Sequence, residues 1–351
     1  MKNSMNLYWP IYKRLEEEVV KLAFSIHFND DQIDVYSTHI ADLIVRCVVE
    51  IEALSKTLYE QLGGVMNPVD KDGNSRSLYF DTDCMALLNQ KWRLDKKRIT
   101  IFASNFYFED DKNKHLFPLH KSGKRGTSGS KWKQAYQDLK HDRYKNLKKA
   151  TVGNLINALG ALYILNLYYK DEYYYLGSAF NPNPFENNCG SEVFRAEFFI
   201  AIDFEWKEKA DDGCIRKLPE DNIDWSIYLL KIRDEEFKQL HLDWCVEQKC
   251  TQLNFNTDPS VRNVLALRPE LRGKSVKDVC MAIGGKAFYD RIKSRYRETK
   301  LRFTNREAKL NKDNQVYPNI GFRSDEEINK PFMQTSEYRK MCRLNGELPQ
   351  F

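Results

Sequence analysis

A helical repeat of apolar residues runs unbroken through residues 35–63, and it constrains the fold more than any other feature of the chain. Apolar side chains recur there at intervals of three and four, which places them on one face of an α-helix. Gly63 and Gly64 end the pattern, as glycines commonly end helices. The stripe consists of Ile40, Leu43, Ile44, Cys47, Val48, Ile51, Leu54, Leu58 and Leu62. A one-sided helix of this length has to bury its stripe, which predicts a packed helical core.

Three further helices are predicted in the first half of the chain. They cover residues 7–28, 131–147 and 152–169, and the last of them is rich in Ala and Leu. Between the first and last of these helices, residues 99–108 alternate in the way that is typical of a strand. The fold class is therefore predicted to be mainly α, with an N-terminal helical bundle that contains a short β excursion.

The Asn-Pro-Asn-Pro stretch at residues 181–184 marks the predicted domain boundary, because such residues favour turns and linkers. One domain is expected over residues 1–178 and a second over residues 179–351. In the second, residues 193–204 and 225–230 read as two strands. The pattern becomes helical and basic from residue 261, and the tail from residue 315 has little periodicity. The second domain is therefore predicted to be a basic α+β domain.

Composition indicates a cytoplasmic chain that does not enter a membrane. No apolar run approaches the roughly 18–20 residues of a membrane span. The first thirteen residues lack an apolar core of the signal-peptide type. The eight cysteines form no C-x-x-C pair and are expected to be reduced thiols in the core. No metal-ligand spacing is found, so neither a metal nor another cofactor is expected.

Two segments together resemble the HEPN superfamily of bacterial RNA-targeting domains. The first is the E-x-E-x-x-x-K pattern of Glu50, Glu52 and Lys56. The second contains Trp132, Tyr136 and a Lys-His-x-Arg element at residues 140–143, and it leads into the Ala- and Leu-rich helix. The resemblance covers about residues 10–175. It implies a helical bundle that pairs as a homodimer and a metal-independent ribonuclease of a toxin or phage-defence system. RNA and a neutralising protein would be its partners.

The chemistry of such a ribonuclease suggests which residues would form its site. Cleavage without a metal needs a base for the 2′-hydroxyl and a cation for the phosphate, roles that suit histidine and arginine. His141, Arg143, the adjacent Lys140 and Glu50 are the candidate catalytic residues. The order of His141 and Arg143 is the reverse of the usual HEPN order, in which the arginine comes first. In an unbroken helix over residues 131–147 the two would also lie on opposite faces.

A purely structural role remains open for the same residues. Arg143 would pair with Glu50 or another carboxylate of the helix at residues 35–63, and His141 would be an ordinary surface residue. The chain would then be a non-catalytic helical interaction or dimerisation protein.

The second candidate surface is the basic segment, residues 262–312, in which fifteen Lys and Arg residues face five acidic ones. Cationic side chains neutralise phosphates, and aromatic rings among them can stack on unpaired bases. The alternative is a solvated helix face whose aromatic residues belong to the core. The predicted nucleic-acid-binding residues are Arg291, Lys293, Arg295, Arg297, Lys300 and Arg302.

Overall fold

The fold was examined in a computed structural model of the chain, which describes residues 6–120, 130–201, 220–293 and 296–317. The side chains of residues 220–222 and 296–299 lie outside this description. Within the described residues the chain is mainly helical, with small sheets, which confirms the prediction of a mainly α chain. No described helix is long and apolar enough to cross a membrane.

The elements follow one another in this order. The helices are α1 (Tyr8–Leu22), α2 (Thr38–Gln61), α3 (Ala86–Trp92), α4 (Asp111–Lys114), α5 (Lys131–His141), α6 (Arg143–Asn146), α7 (Val152–Lys170), α8 (Glu220–Trp225), α9 (Asp234–Thr257), α10 (Pro259–Leu267), α11 (Val276–Ile292) and α12 (Tyr296–Phe303). The strands are β1 (Phe28–Asn29), β2 (Ile99–Ile101), β3 (Phe106–Tyr107), β4 (His115–Leu116), β5 (Tyr174–Ser178), β6 (Phe194–Ala196), β7 (Phe198–Ala201), β8 (Tyr228–Ile232) and β9 (Asn305–Leu310). A π-helical turn, Phe80–Met85, leads directly into α3.

Helix α2 is the helix predicted from the apolar repeat. Ser37 caps its N-terminus by accepting a hydrogen bond from the Ile40 backbone N–H at 3.1 Å, as N-cap serines do. Eight of the nine predicted stripe residues are buried in α2. Gly63, just beyond the helix, has a φ of +79°, a conformation that only glycine adopts at little cost.

Helix α7 is the centre of the first half, as its composition requires. Thr151 caps it by accepting from the Asn154 backbone N–H at 3.2 Å. Fourteen of its nineteen residues are buried, and α1, α2 and α5 all pack against it. A helix that is apolar on every side is stable only when other elements surround it, so α7 organises the bundle around itself.

The described chain divides into two compact units that are discontinuous in sequence. Of the described residues, the first unit comprises those within Met1–Tyr174, Pro184–Lys231 and Glu307–Val316. The second comprises the described residues within Tyr175–Asn183, Ile232–Arg306 and Tyr317–Phe351. This division differs from the single boundary predicted after residue 178, because strands late in the chain belong to the first unit.

Strand pairing explains why the first unit includes residues from the second half of the sequence. β6 pairs antiparallel with β2, with Ile99 opposite Ala196 and Ile101 opposite Phe194. The stretch predicted as one strand, residues 193–204, is in fact two strands, since β7 leaves β6 and pairs in parallel with β8. Of the residues predicted as the second strand, 225–230, those from Tyr228 onward lie in β8, whereas Trp225 is the last residue of α8. Residues 202–204 lie outside the described chain.

A buried carboxylate also joins α1 to the turn before β6. Glu16 is 1% exposed, and its Oε1 accepts hydrogen bonds from the Tyr12 hydroxyl and from the backbone N–H groups of Glu192 and Val193, at 2.7, 3.0 and 3.2 Å. Its other oxygen accepts from the Lys13 ammonium at 2.6 Å. A buried carboxylate is tolerated when its oxygens are satisfied in this way, so Glu16 fixes this turn to the bundle.

The second unit has a smaller core of its own, formed by α9, α10 and α11. It consists of Phe255, Val261, Leu271, Val279, Cys280 and Ile292. Phe288 and Tyr289 pack against this cluster from α11. The prediction of a helical pattern from residue 261 is confirmed, whereas most of the tail predicted to be irregular, residues 318–351, lies outside the described chain.

Candidate nucleic-acid interface

Helix α5 carries the Trp132 stripe predicted from the sequence. Trp132, Tyr136 and Leu139 are all buried, and α5 packs against α2 and α7. The Trp132 indole Nε1–H donates to the Pro118 carbonyl oxygen at 2.7 Å. A buried indole needs such an acceptor, so the tryptophan fixes the start of α5 against the preceding strand region.

The predicted unbroken helix over residues 131–147 is wrong, because the chain breaks at Asp142. That residue has φ −153° and ψ 88°, outside the helical region. Its carboxylate caps α6 by accepting from the Lys145 backbone N–H at 3.1 Å. The Asn146 side chain donates to the Asp138 and Asp142 carbonyls at 3.1 and 2.9 Å. Asp at an N-cap and Asn bonded to free carbonyls are strong local signals, and here they outweigh the helical period.

The prediction that Arg143 contacts a carboxylate of the second helix is confirmed, but the carboxylate is not that of Glu50. The Arg143 Nη1 lies 2.6 Å from the Asp42 Oδ1, with both side chains about half exposed. Asp42 and Glu50 are eight residues apart on α2, which is about 12 Å along the helix axis. Glu50, which is partly buried, therefore does not share a site with Arg143.

Glu52, rather than Glu50, is the carboxylate of this motif that acts electrostatically on α5. The pKa of Tyr136 is raised, mainly by burial and further by the negative charge of Glu52. Lys133, also on α5 and buried, contacts the Asp81 carboxylate of the π-helical turn and lies 4.7 Å from the centre of the Phe80 ring. These groups satisfy one another within the bundle and leave the α5 C-terminus as the exposed part of the motif.

That exposed part is the α5–α6 corner, residues 140–149, which contains five Lys and Arg residues and one Asp. The solvent-exposed side chains are Lys140, His141, Arg143, Tyr144, Lys145 and Lys148. Tyr144 is 95% exposed, more than any other large hydrophobic or aromatic residue in the described chain. Lys145 lies 3.2 Å from Asp142, and Lys149 lies 2.6 Å from Asp138. Three of the four predicted catalytic residues are thus together at this corner.

The basic segment presents its charges differently. Arg291 lies 2.9 Å from Asp258, and Lys300 lies 2.7 Å from Asp243. Both carboxylates are largely buried. Lys293 is partly buried, and Arg302 is exposed next to Phe303. Arg295 and the Arg297 side chain lie outside the described residues. The alternative in which aromatic residues of this segment belong to the core holds for Phe288 and Tyr289, but not for Phe303, which is 62% exposed.

Sequence reasoning missed a third site, which is a cavity of about 250 Å³ in the first unit lined in part by His115. The His115 Nδ1 lies 2.8 Å from the Thr100 hydroxyl, which donates to the Glu197 Oε1 at 2.5 Å. Thr100 and His115 are partners in the β2–β4 pairing, and Glu197 follows β6 on the other side of β2. Because only strand pairing unites these residues, no motif spacing could have revealed them.

Among the described residues no group of three or more His, Cys, Asp or Glu side chains is placed to hold a metal ion. No protein-family model matches the chain, and no match was found among curated proteins or solved structures.

Proposed function

We propose that this chain is an RNA-directed protein and that the α5–α6 corner is its RNA-contacting surface. The observation that carries the proposal is Tyr144, an aromatic side chain that is 95% exposed in the middle of exposed cations. An aromatic ring this exposed buries almost none of its surface against the described part of the chain. It is free to stack on an unpaired base, which is worth about 1–3 kcal/mol per base.

The cations around Tyr144 suit the phosphates on either side of a stacked base. Lys140, Lys145 and Lys148 are all exposed, and the ion pair of Lys145 is with the half-exposed Asp142. Arg143 donates one N–H to the Asp42 carboxylate, and a guanidinium has five N–H donors in all. Arg143 therefore keeps donors for a phosphate even while its ion pair persists.

The resemblance to HEPN domains extends the proposal to metal-independent cleavage, with His141 as the base and Arg143 as the cation. The break at Asp142 supports this extension, since His141 and Arg143 belong to different helices and the opposite-face objection no longer applies. Lys140 would add positive charge beside them. A homodimer formed through the helical bundle and a neutralising partner protein are further parts of the same proposal.

Binding to a short, unstructured, fluorescently labelled RNA tests the proposal directly. Anisotropy titrations at about 50 mM salt should show Tyr144→Ala binding about tenfold more weakly than the wild type, because one stacked ring is lost. Tyr144→Phe is the matched control, since it keeps the ring and should bind like the wild type. Equal binding by the alanine variant, or no RNA binding by the wild type, would refute the assignment.

The same variants separate RNA binding from the interaction-protein alternative. If the corner serves protein association instead, Tyr144→Ala should weaken self-association in sedimentation experiments while no variant binds RNA.

A further inference from the structure

The cavity beside His115 has apolar walls and a few polar groups, the usual composition of a small-molecule site. Its apolar walls include Ile33, Phe108 and Ile156, and its polar lining includes His115, Asn113 and Asn157. At about 30 Å³ for each water molecule in the liquid, about 250 Å³ is the space of roughly eight waters. A single planar heterocycle has a comparable number of heavy atoms.

The two asparagines are oriented by partners that can only accept hydrogen bonds. Asn113 Nδ2 donates to the Asp30 carboxylate at 2.7 Å, and Asn157 Nδ2 donates to the Gly153 carbonyl at 2.9 Å. These bonds fix which end of each amide is nitrogen. Neither Oδ1 has a hydrogen-bond partner within the described part of the chain, so each asparagine at the cavity wall keeps an acceptor as well as its second amide N–H.

His115 offers a third acceptor for a similar reason. The Thr100 hydroxyl gives its single hydrogen to the Glu197 carboxylate, so its oxygen has to accept from the His115 Nδ1–H. In the neutral imidazole the lone pair then lies on Nε2, and the Asp111 Oδ1 is 3.9 Å from this atom, too far for a hydrogen bond. Lys112 also lines the cavity, but its ammonium is 2.7 Å from the Asp110 carboxylate and its side chain is 75% exposed.

We propose that this cavity binds an uncharged planar heteroaromatic ring that carries an exocyclic amino group. Such a ring places its faces against the apolar walls and gives its N–H hydrogens to acceptors at Asn113, Asn157 and His115. A ring that lacks the amino group brings fewer N–H hydrogens to these acceptors and leaves one of them unpaired when it fills the cavity. The proposal does not depend on RNA binding at the α5–α6 corner.

Adenine and purine form a matched pair of probes, because purine lacks only the exocyclic amino group. Saturation-transfer NMR and calorimetry with the full chain should show adenine binding about tenfold more tightly, as one well-formed hydrogen bond implies. Asn157→Leu should weaken adenine binding about tenfold. Asn154→Ala is the control on the same helix, because Asn154 does not line the cavity, and it should bind adenine normally.

A spectroscopic readout on the wild-type protein keeps the test independent of variant folding. In nitrogen-15 spectra His115 should be the Nδ1–H tautomer, and adenine should shift the Nε2 resonance because that atom accepts a hydrogen bond. Thr100→Val removes the hydroxyl that accepts from the His115 Nδ1–H and should therefore shift the population from the Nδ1–H toward the Nε2–H tautomer. Equal binding of the two probes, no binding of either at millimolar concentration, or an unchanged Nε2 resonance on saturation would overturn the proposal.

Discussion

The α5–α6 corner and the basic segment are both rich in Lys and Arg, but they present these side chains in different ways. At the corner, Tyr144 is almost fully exposed and neighbouring cations reach solvent. In the segment, Phe288 and Tyr289 pack on the core of the second unit, and Arg291 is held by Asp258. The segment contains three times as many Lys and Arg residues as the corner, and nine of those that the structure describes are exposed, against four at the corner. What distinguishes the corner is therefore the almost fully exposed ring of Tyr144 among its cations, and not the number of charges.

The largest expected effect concerns His141, because the corner has an exposed histidine that could act as a base. If the chain cleaves RNA, His141→Ala should slow cleavage by about 10²–10⁴-fold, the usual contribution of general acid–base catalysis. Cleavage by the wild type should persist in a chelator. Gel analysis of a labelled RNA, with and without chelator, measures both effects.

His120→Ala is the matched control for that experiment, since His120 is an exposed histidine outside the corner. It should cleave RNA as the wild type does. Cleavage that a chelator abolishes, or that survives His141→Ala, would remove His141 from the role of metal-free base and leave the corner as a binding surface only.

Replacing charges compares the two basic regions directly. Changing Lys140, Lys145 and Lys148 to Gln should weaken RNA binding on the order of 100-fold at 50 mM salt and flatten the log–log salt slope by about 2, at about 0.7 per phosphate contact. Changing Arg291, Lys293, Arg295 and Arg297 together to Gln should weaken RNA binding less than about tenfold under the same conditions. Its smaller effect is expected because Asp258 already neutralises Arg291.

Anisotropy titrations at two salt concentrations measure both variants, and a third controls for net charge. Lys56, Lys71 and Lys91 are exposed lysines of the first unit that lie outside the corner, and their joint change to Gln should leave binding nearly unaltered. A larger loss from the segment variant than from the corner variant would reverse the comparison and make the segment the principal phosphate-binding surface.

The sequence predicted the helices well and the long-range contacts poorly. The apolar period located α2 and α7 because each helix is built from local bonds and one buried pattern. It could not reveal that β2 pairs with β6, about a hundred residues away, and so it misplaced the domain boundary. The prediction that Arg143 contacts Glu50 or another carboxylate of the second helix is confirmed, with Asp42 as the partner. The error lay in the helix over residues 131–147, because the helical period was extended through Asp142, whose side chain caps the next helix.

Lys97 differs most from the exposed cations of the corner, because it is a fully buried lysine. Its side chain is fully buried, and its ammonium has one described hydrogen bond, to the Asn314 Oδ1 at 3.3 Å. The pKa of Lys97 is lowered to about 7, mainly by burial; the carboxylate of Asp224 opposes this shift, and the positive charge of Arg93 contributes to it. A lysine placed in this way affects folding rather than binding.

The smallest expected effect is the pH dependence of stability that Lys97 contributes. In the unfolded chain its amine keeps its proton to about pH 10.4, whereas in the folded chain it loses the proton near pH 7. Above pH 7 the unfolded state therefore binds more protons, and stability rises with pH, by about 1 kcal/mol between pH 7 and pH 8. Below pH 7 both states are protonated and the contribution stops changing.

Lys97→Met should remove this rise, which urea unfolding at pH 6, 7, 8 and 9 would measure as a difference from the wild type. Lys96→Met is the matched control, because Lys96 is the adjacent residue with a 45% exposed side chain, and it should keep the wild-type slope. If Lys97→Met and the wild type follow the same pH profile, Lys97 is charged in the folded chain and its burial does not control its protonation.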